Sequence, residues 1–398
     1  MGEPKRGAPV EEAALALPPS RALMLLLSVA AGISVANLYY AQPLAAAMAE
    51  SLGVSSTGIG TALAATQIGY ALGMVLLVPL GDGRERRRVI VTTLLAAAPP
   101  LLLLASARNV AVLTLSSLLV GVASSVPQMI LPYAIELAPI ADRGRVVGTV
   151  MSGLLAGILL SRTASGALGA WVGWRLVFVI AAAAMLGLAG ILRALLPPQQ
   201  PARVLGWGAI VRSLASVWST QPVLRRRAFV GGFGFASFSV FWSTLSFHLR
   251  DIGYGSAAAG TFGIVGIAGV LVGPLAARRA TGENPARLNV MALLVLATSY
   301  VVFFVLAGSL IGLGVGVVLL DAGVQASHLT NQTVIFGLAP ELRSRLNALY
   351  MVCYFAGGAL GTALASAAWA LGAWPAVCLV GGVLALLGLL PLLGERAA

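Results

Sequence analysis

The chain has one lysine, Lys5, two histidines, His248 and His328, and two cysteines, Cys353 and Cys378. Each scarcity closes off a class of chemistry. A phosphate-gripping loop needs a glycine-rich turn that carries a lysine, and none is present, so an ATP-driven motor inside this chain is excluded. The two histidines fall in different apolar runs with no HExxH-like spacing, and both cysteines lie within apolar runs, so neither a metal centre nor a disulfide framework is supported. No enzyme activity and no cofactor are expected. Charge is scarce too: 10% of residues are Asp, Glu, Lys or Arg against 59% hydrophobic. With a mean hydropathy of +0.95 the chain falls outside the range of soluble domains, so it reads as an all-α integral membrane protein.

What is present is a succession of apolar runs, each close to the ~20 residues that a helix needs to cross a bilayer. They predict helices over 22–48, 57–80, 89–107, 110–138, 146–171, 175–196, 227–249, 256–277, 288–307, 309–338, 346–371 and 374–393. The short alternating strands of a membrane barrel are missing. The net charge of +12 sits in clusters between the runs. It therefore orients the chain in a bilayer and does not point to nucleic acid. With the N-terminus inside, cytoplasmic connections hold Arg84, Arg86–Arg88, Arg143, Arg145, Arg225–Arg227, Arg278, Arg279, Arg343 and Arg345, while outer connections hold Arg108, Arg175 and Arg250. Both termini are then cytoplasmic. The opening MGEPKRGAPVEEAALALPPS is polar with no cleavage site ahead of the first run, and reads as a cytoplasmic tail, 1–21.

The one long polar-tinged connection, 198–226, divides the chain into six-helix units 22–197 and 227–394. Arg143, Arg145, Met151, Gly157 and Trp174 recur as Arg343, Arg345, Met351, Gly357 and Trp374, each pair 200 positions apart. Matches this numerous at one offset mark a duplicated unit. Duplicated bundles with a site between them are the architecture of secondary transporters, so a small-molecule substrate in a lipid bilayer is expected.

Candidate site residues follow from polar groups inside the runs. In LLDAGVQASHLTNQTVIF, Asp321, Gln325, His328 and Gln332 share one helical face, a polar stripe of the kind that lines substrate or proton pathways. In ANLYYAQP, Asn37 and Tyr40 lie on one face with Tyr39 and Gln42 roughly opposite; one pair can face a cavity, and Asn37 with Tyr40 is chosen. Gln128 and Trp242 are the further candidates, the latter a platform for a planar or apolar solute. Arg162 stands near the middle of the apolar run LLAGILLSRTASGALG. A lipid-facing arginine there costs at least ~2.5–3.5 kcal/mol, so it is expected to face the space between the halves, paired with Asp321 in one state or binding substrate. Asp321, Arg162 and His328 are the proton-coupling candidates.

In VPLGDGRERRRVI, Leu80, Asp82, Arg86 and Arg87 match the signature loop of the major facilitator superfamily, Gly-x-Leu-x-Asp-Arg-x-Gly-Arg-Arg; Val78, Gly83 and Glu85 depart from it. With NLYYAQPL and LRSRLNALYMVCYFAGGALG, the chain resembles the twelve-helix drug:proton antiporter branch of that superfamily, nearest its purine-nucleoside and sugar exporters. The resemblance implies the major facilitator fold, a monomer in the bacterial inner membrane, and efflux of a drug, nucleoside or sugar-like solute against protons. Proton-coupled uptake, or a sensor that no longer transports, are the alternatives. It also implies a conformational latch of Asp82, Arg86 and Arg87 with Arg345. Ser117 stands where relatives carry an arginine in the fourth helix, and Ile158 where they carry a proline after Gly157.

Overall fold

A computed structural model describes residues 20–139, 142–199, 207–271, 284–339 and 342–393. Among the described residues every regular element is helical. The spans are α1 (Arg21–Leu52), α2 (Ser56–Leu76), α3 (Arg86–Ala105), α4 (Val110–Leu137), α5 (Arg143–Val172), α6 (Trp174–Leu195) and α7 (Pro222–Asp251). They continue with α8 (Ser256–Val270), α9 (Pro285–Val305) and α10 (Leu310–Leu338). A final helical run, Arg343–Leu387, breaks at Gly372 and Ala373 into α11 (343–371) and α12 (374–387). Twelve spans result, although ten runs are long and apolar enough to cross a membrane alone. The last of those ten is α11 and α12 counted together, and the described part of α8 is shorter. Side chains pointing outwards are apolar, among them Leu25, Val301 and Leu379, as a lipid-facing surface requires.

The duplication is visible in three dimensions. Helix starts at Ser56 and Ser256, Val110 and Leu310, Arg143 and Arg343 lie 200 positions apart. So do two caps: Asn109 accepts from the Val112 N–H and Ser309 from the Gly312 N–H, each satisfying a donor the helix cannot. Two hydrophobic cores form, one around Leu27, Ile90, Leu94 and Phe178 in the first six spans, the other around Phe241, Phe303, Leu313 and Val377 in the second. In lipid there is little hydrophobic force between helices, so close backbone packing holds them. Gly157 of α5 meets Gly32 of α1, and Gly357 of α11 meets Gly232 of α7; in each case a Cβ on the first glycine would collide with the backbone of the second.

The connection between the halves carries an unexpected helix, Trp207–Thr220, whose Val217 is buried and whose Trp218 packs edge-on against Phe229 of α7. Residues 1–19 of the expected tail, 200–206 of the linker and the expected arginine pair Arg278 and Arg279 lie outside the described residues.

The halves meet at the end opposite the arginine-rich connections. There the Ala46 N–H reaches Ser246 Oγ at 3.3 Å, Thr163 Oγ1 donates to Gly260 O at 2.8 Å, and Gln67 Nε2 donates to Thr362 Oγ1 at 3.0 Å. Gly60 packs on Ser366, and their counterparts across the 200-residue repeat, Gly260 and Gly166, pack on each other. Arg250 of α7 donates to Ala46 O at 3.3 Å and lies 3.9 Å from Glu50. At the arginine-rich end the halves diverge around a cavity of about 470 Å³ whose wall includes Met74, Arg86, Gln128, Phe336, Arg343 and Asn347.

Candidate functional site

Arg162 is 1% exposed, in mid-bundle, and reaches from α5 towards α1 and α7. Its Nε donates to Gln42 Oε1 at 2.8 Å, and Nη1 approaches Ile158 O at 3.4 Å. Aromatic rings cover the guanidinium: Trp242 at 4.1 Å, Tyr39 at 4.6 Å and Phe238 at 5.7 Å. Desolvated cation–π contacts can contribute ~2 kcal/mol, which offsets part of the cost of burying this charge. Its Nη2 is buried and has no hydrogen-bond partner among the described residues.

The residues of α1 that serve Arg162 correct the expected pairing. Asn37 turns away, its Nδ2 3.4 Å from Met185 Sδ in α6, and Tyr40 packs on the core of the first half. Tyr39 and Gln42, the opposite pair, take the site. The reason lies in the backbone: α1 breaks over 37–40, where Leu38, Tyr39 and Gln42 bond to the carbonyls three residues back. Pro43 has no N–H with which to continue the helical ladder there. Tighter turns advance each residue by more than the ~100° of an α-helix, so a face drawn on a regular helix misplaces these side chains.

Asp321 of α10 is 3% exposed and lies against α8, where Gly266 and Gly269 leave the room it fills: a Cβ on Gly266 would come within 2.5 Å of its Oδ2. One turn along α8, the Cβ position of Gly263 lies 3.1 Å from the Arg162 Cβ. The cation from the first half and the acid from the second thus approach one glycine face from two sides. They lie within electrostatic range of each other but do not form an ion pair within 4.0 Å, and Asp321 Oδ2 has no hydrogen-bond partner among the described residues.

The rest of the stripe turns towards α11. His328 Nδ1 lies 3.0 Å from Tyr350 Oη with the Tyr354 ring 4.7 Å away, and Gln332 Nε2 donates to Asn347 Oδ1 at 3.3 Å. Gln325 is half-buried. None of the four is in the wall of the 470 Å³ cavity; Gln332 reaches it through Asn347. The other side of α10 is packing, with Ser327 and Asn331 bonded to Asn289 of α9. Gln128 lines the cavity and donates to Tyr70 Oη at 3.1 Å; Tyr70 in turn meets Phe355 of α11 at 4.3 Å, an aromatic contact between the halves. Tyr39 and Gln42 are the pair that the sequence reading passed over, and Phe238 is a neighbour of Arg162 that it did not name. Their only signal was the cluster of rings and amides around a buried charge.

In the signature loop the side chain of Asp82 lies outside the described residues. Arg86 forms an ion pair with Glu136 of α4 at 2.5 Å and donates to Gly81 O. Arg87 donates to Glu85 and to Leu196 O at the end of α6. These contacts stay inside the first half. Arg345, half-buried, has no ion pair among the described residues.

Residues 24–362 match the sequence model of the Major Facilitator Superfamily. The chain is 40% identical over 373 residues to the transporter YgaY of Escherichia coli K12, covering 93% of this chain and 95% of that one, a relative whose name gives no substrate. It is 32% identical over 374 residues to the transporter SCO4007 of Streptomyces coelicolor A3(2), covering 93% and 86%. Among solved structures, a bacterial homologue of the human lysosomal transporter Spinster, inward-facing and unoccupied, matches with a TM-score of 0.78 at 16% identity over 96% of this chain and 100% of that one. The nucleoside transporter NupG matches with a TM-score of 0.78 at 11% identity over 93% and 99%. These two likenesses are likenesses of fold. The twelve spans, the duplicated halves and relatives along nearly the whole length agree: the chain belongs to the Major Facilitator Superfamily and is a multi-pass membrane transporter.

Proposed function

We propose that the protein works by alternating access as a monomer in the bacterial inner membrane, its arginine-rich end cytoplasmic, and exports a small organic solute in exchange for protons, as the drug:proton antiporter branch does. The units 22–197 and 227–394 are the rocking bodies. The carrying observation is that Arg162 and Asp321, from opposite halves, are both buried at the interface, within electrostatic range and yet unbonded. A charge pair that is open in one arrangement of two halves can close in the other, and a proton on the acid then biases the equilibrium between the two. The cavity at the arginine-rich end, with the halves joined at the opposite end, supports an inward-facing state.

Uptake with a proton is the second reading, and one observation favours it. Arg343 stands in the cavity wall, and although Arg86, also in the wall, is engaged by Glu136 behind it, no carboxylate lines the cavity among the described residues, which favours an anionic solute. An anion that took Arg162 from Asp321 would leave the acid to gain a proton, and solute and proton would travel together. Counterflow of labelled solute in proteoliposomes tests transport, and a pH gradient imposed in each direction tests the coupling. Accumulation on the acid side supports exchange. Accumulation only from the acid side supports cotransport, and no counterflow for any solute leaves a sensor.

A further inference from the structure

Beneath the contacts that join the halves lies a narrow void, too tight to admit a water, bordered by Gln42, Arg162, Trp242, Leu245, Ser246 and Ala259. Two of these residues carry buried donors with no hydrogen-bond partner among the described residues: Arg162 Nη2 and Trp242 Nε1. Arg162 is 1% exposed and Trp242 2%. Both groups can only donate. The acceptors nearby are already used, since Gln42 Oε1 takes Arg162 Nε and Ser246 Oγ takes the Ala46 N–H. No carboxylate borders the void, because Asp321 lies on the far side at Gly266.

A guanidinium and an indole N–H left unmatched around one space are costly for packing alone, because a buried donor without an acceptor loses its hydration and gains nothing in return. The arrangement has the complement of a carboxylate, whose two oxygens can each accept one of the two donors. We propose that this is the subsite for the carboxylate of the transported solute, and that the solute is an organic monoanion with an aromatic or apolar body. The single charge follows from the single cation that faces the void. The apolar body follows from Trp242, Leu245 and Ala259 at the void and from the rings of Tyr39 and Phe238 over the guanidinium beside it. The subsite opens when the Ala46–Ser246 and Glu50–Arg250 contacts separate, so it is loaded or emptied in the state open at that end. The inference rests on the transport reading above, in either direction.

The test uses the full chain in lipid nanodiscs in a chloride-free buffer, with thermal unfolding read against benzoate, phenylacetate and indole-3-acetate, and against the corresponding neutral amides. At least one acid should stabilise the protein more than its amide does. Trp242→Phe keeps a ring and removes the donor. It should weaken binding of that acid about tenfold, the loss of one hydrogen bond to a charged group, measured as the ligand-induced shift relative to the same variant without ligand. Arg162→Gln should abolish the binding; if that variant does not fold, Trp242→Phe carries the test. Equal stabilisation by acid and amide, no response to any acid, or unchanged affinity in Trp242→Phe overturns the proposal. So does chloride that produces the same shift and displaces the acid, since the pocket is then one for an inorganic anion. Transport of neutral solutes without acid preference sinks the subsite and leaves the transport reading standing. Acid-specific binding without counterflow of any solute does the reverse.

Discussion

Adding one methyl group to Gly157 would place a Cβ on the carbonyl oxygen, carbonyl carbon and Cα of Gly32. Backbone atoms cannot rotate away as a side-chain tip can, so α1 and α5 must part along this crossing and loosen the contacts beside it, among them Gly153 against Ser28. Overpacking of this kind costs about 1–3 kcal/mol, and with backbone on both sides the upper half of that range, about 2–3, applies. Gly148 provides the control, because a Cβ there meets nothing within 4 Å and the residue lies in the same helix. Gly148→Ala should gain about 0.5–1 kcal/mol, the ordinary difference in helix propensity. The propensity gain is common to both variants and cancels, so they should differ by about 2–3 kcal/mol, roughly thirty- to 150-fold in the unfolding equilibrium. Reversible unfolding in mixed micelles would measure it. Gly357→Ala should behave like Gly157→Ala, since its Cβ would land on Gly232. Equal stability of Gly157→Ala and Gly148→Ala would refute the view that these crossings hold each half together.

Ala373 adopts φ 48°, ψ −144°, a conformation in which L side chains are strained, at the position that corresponds to Gly173 in the first half; Ala373→Gly should stabilise by about 1 kcal/mol in the same assay, and a loss of stability would show the strain to be absent. Asp321→Asn should permit solute-for-solute exchange while abolishing the response to a pH gradient in proteoliposomes, and uphill transport by this variant would move the coupling role to His328. Arg162→Lys should retain little activity and Arg162→Ala none, with partial recovery of folding yield in Arg162→Ala/Asp321→Asn because no uncompensated buried charge remains; a double variant no better than Arg162→Ala contradicts the pairing. Arg250→Gln loosens a partly exposed contact worth at most about 1 kcal/mol, so the state open at that end should gain up to about fivefold in population, read as faster thiol labelling of Ser246→Cys. Unchanged labelling would mean that Arg250 does not hold the closure.

The sequence made the spans legible because lipid demands a nearly uninterrupted apolar run for each, and that demand leaves little room for tertiary context to override. The duplication was equally plain, since Trp174 with Trp374 and Gly157 with Gly357 sit where helix junctions and crossings must be kept. Arg162 and Asp321 were legible for the opposite reason, as polar groups where polar groups are expensive. What escaped were contacts set by local departures from regular geometry. Tyr39 and Gln42 reach Arg162 only because α1 tightens ahead of Pro43. Gln128 finds Tyr70, and Asp321 finds the glycines of α8, through approaches between helices far apart in the chain. The helix Trp207–Thr220 was hidden by its length, too short to span and set in a connection that reads as a linker.

The hydrogen bond between Ala46 and Ser246 joins residues 200 apart, the same interval that relates the halves. A residue can touch its own counterpart only on the rotation axis that exchanges the two, so this contact marks where that axis leaves the bundle at the closed end. Each half contributes an even number of spans and enters from the same side, which sets the axis along the membrane normal. Two separate six-helix chains could have met about this point as a symmetric dimer, with residue 46 of each facing residue 46 of the other. In such an ancestor the bond would have been made twice or not at all. Because both halves belong to one chain, the two positions are free to differ: serine stands on one side and alanine on the other, and a single hydroxyl spans the seam.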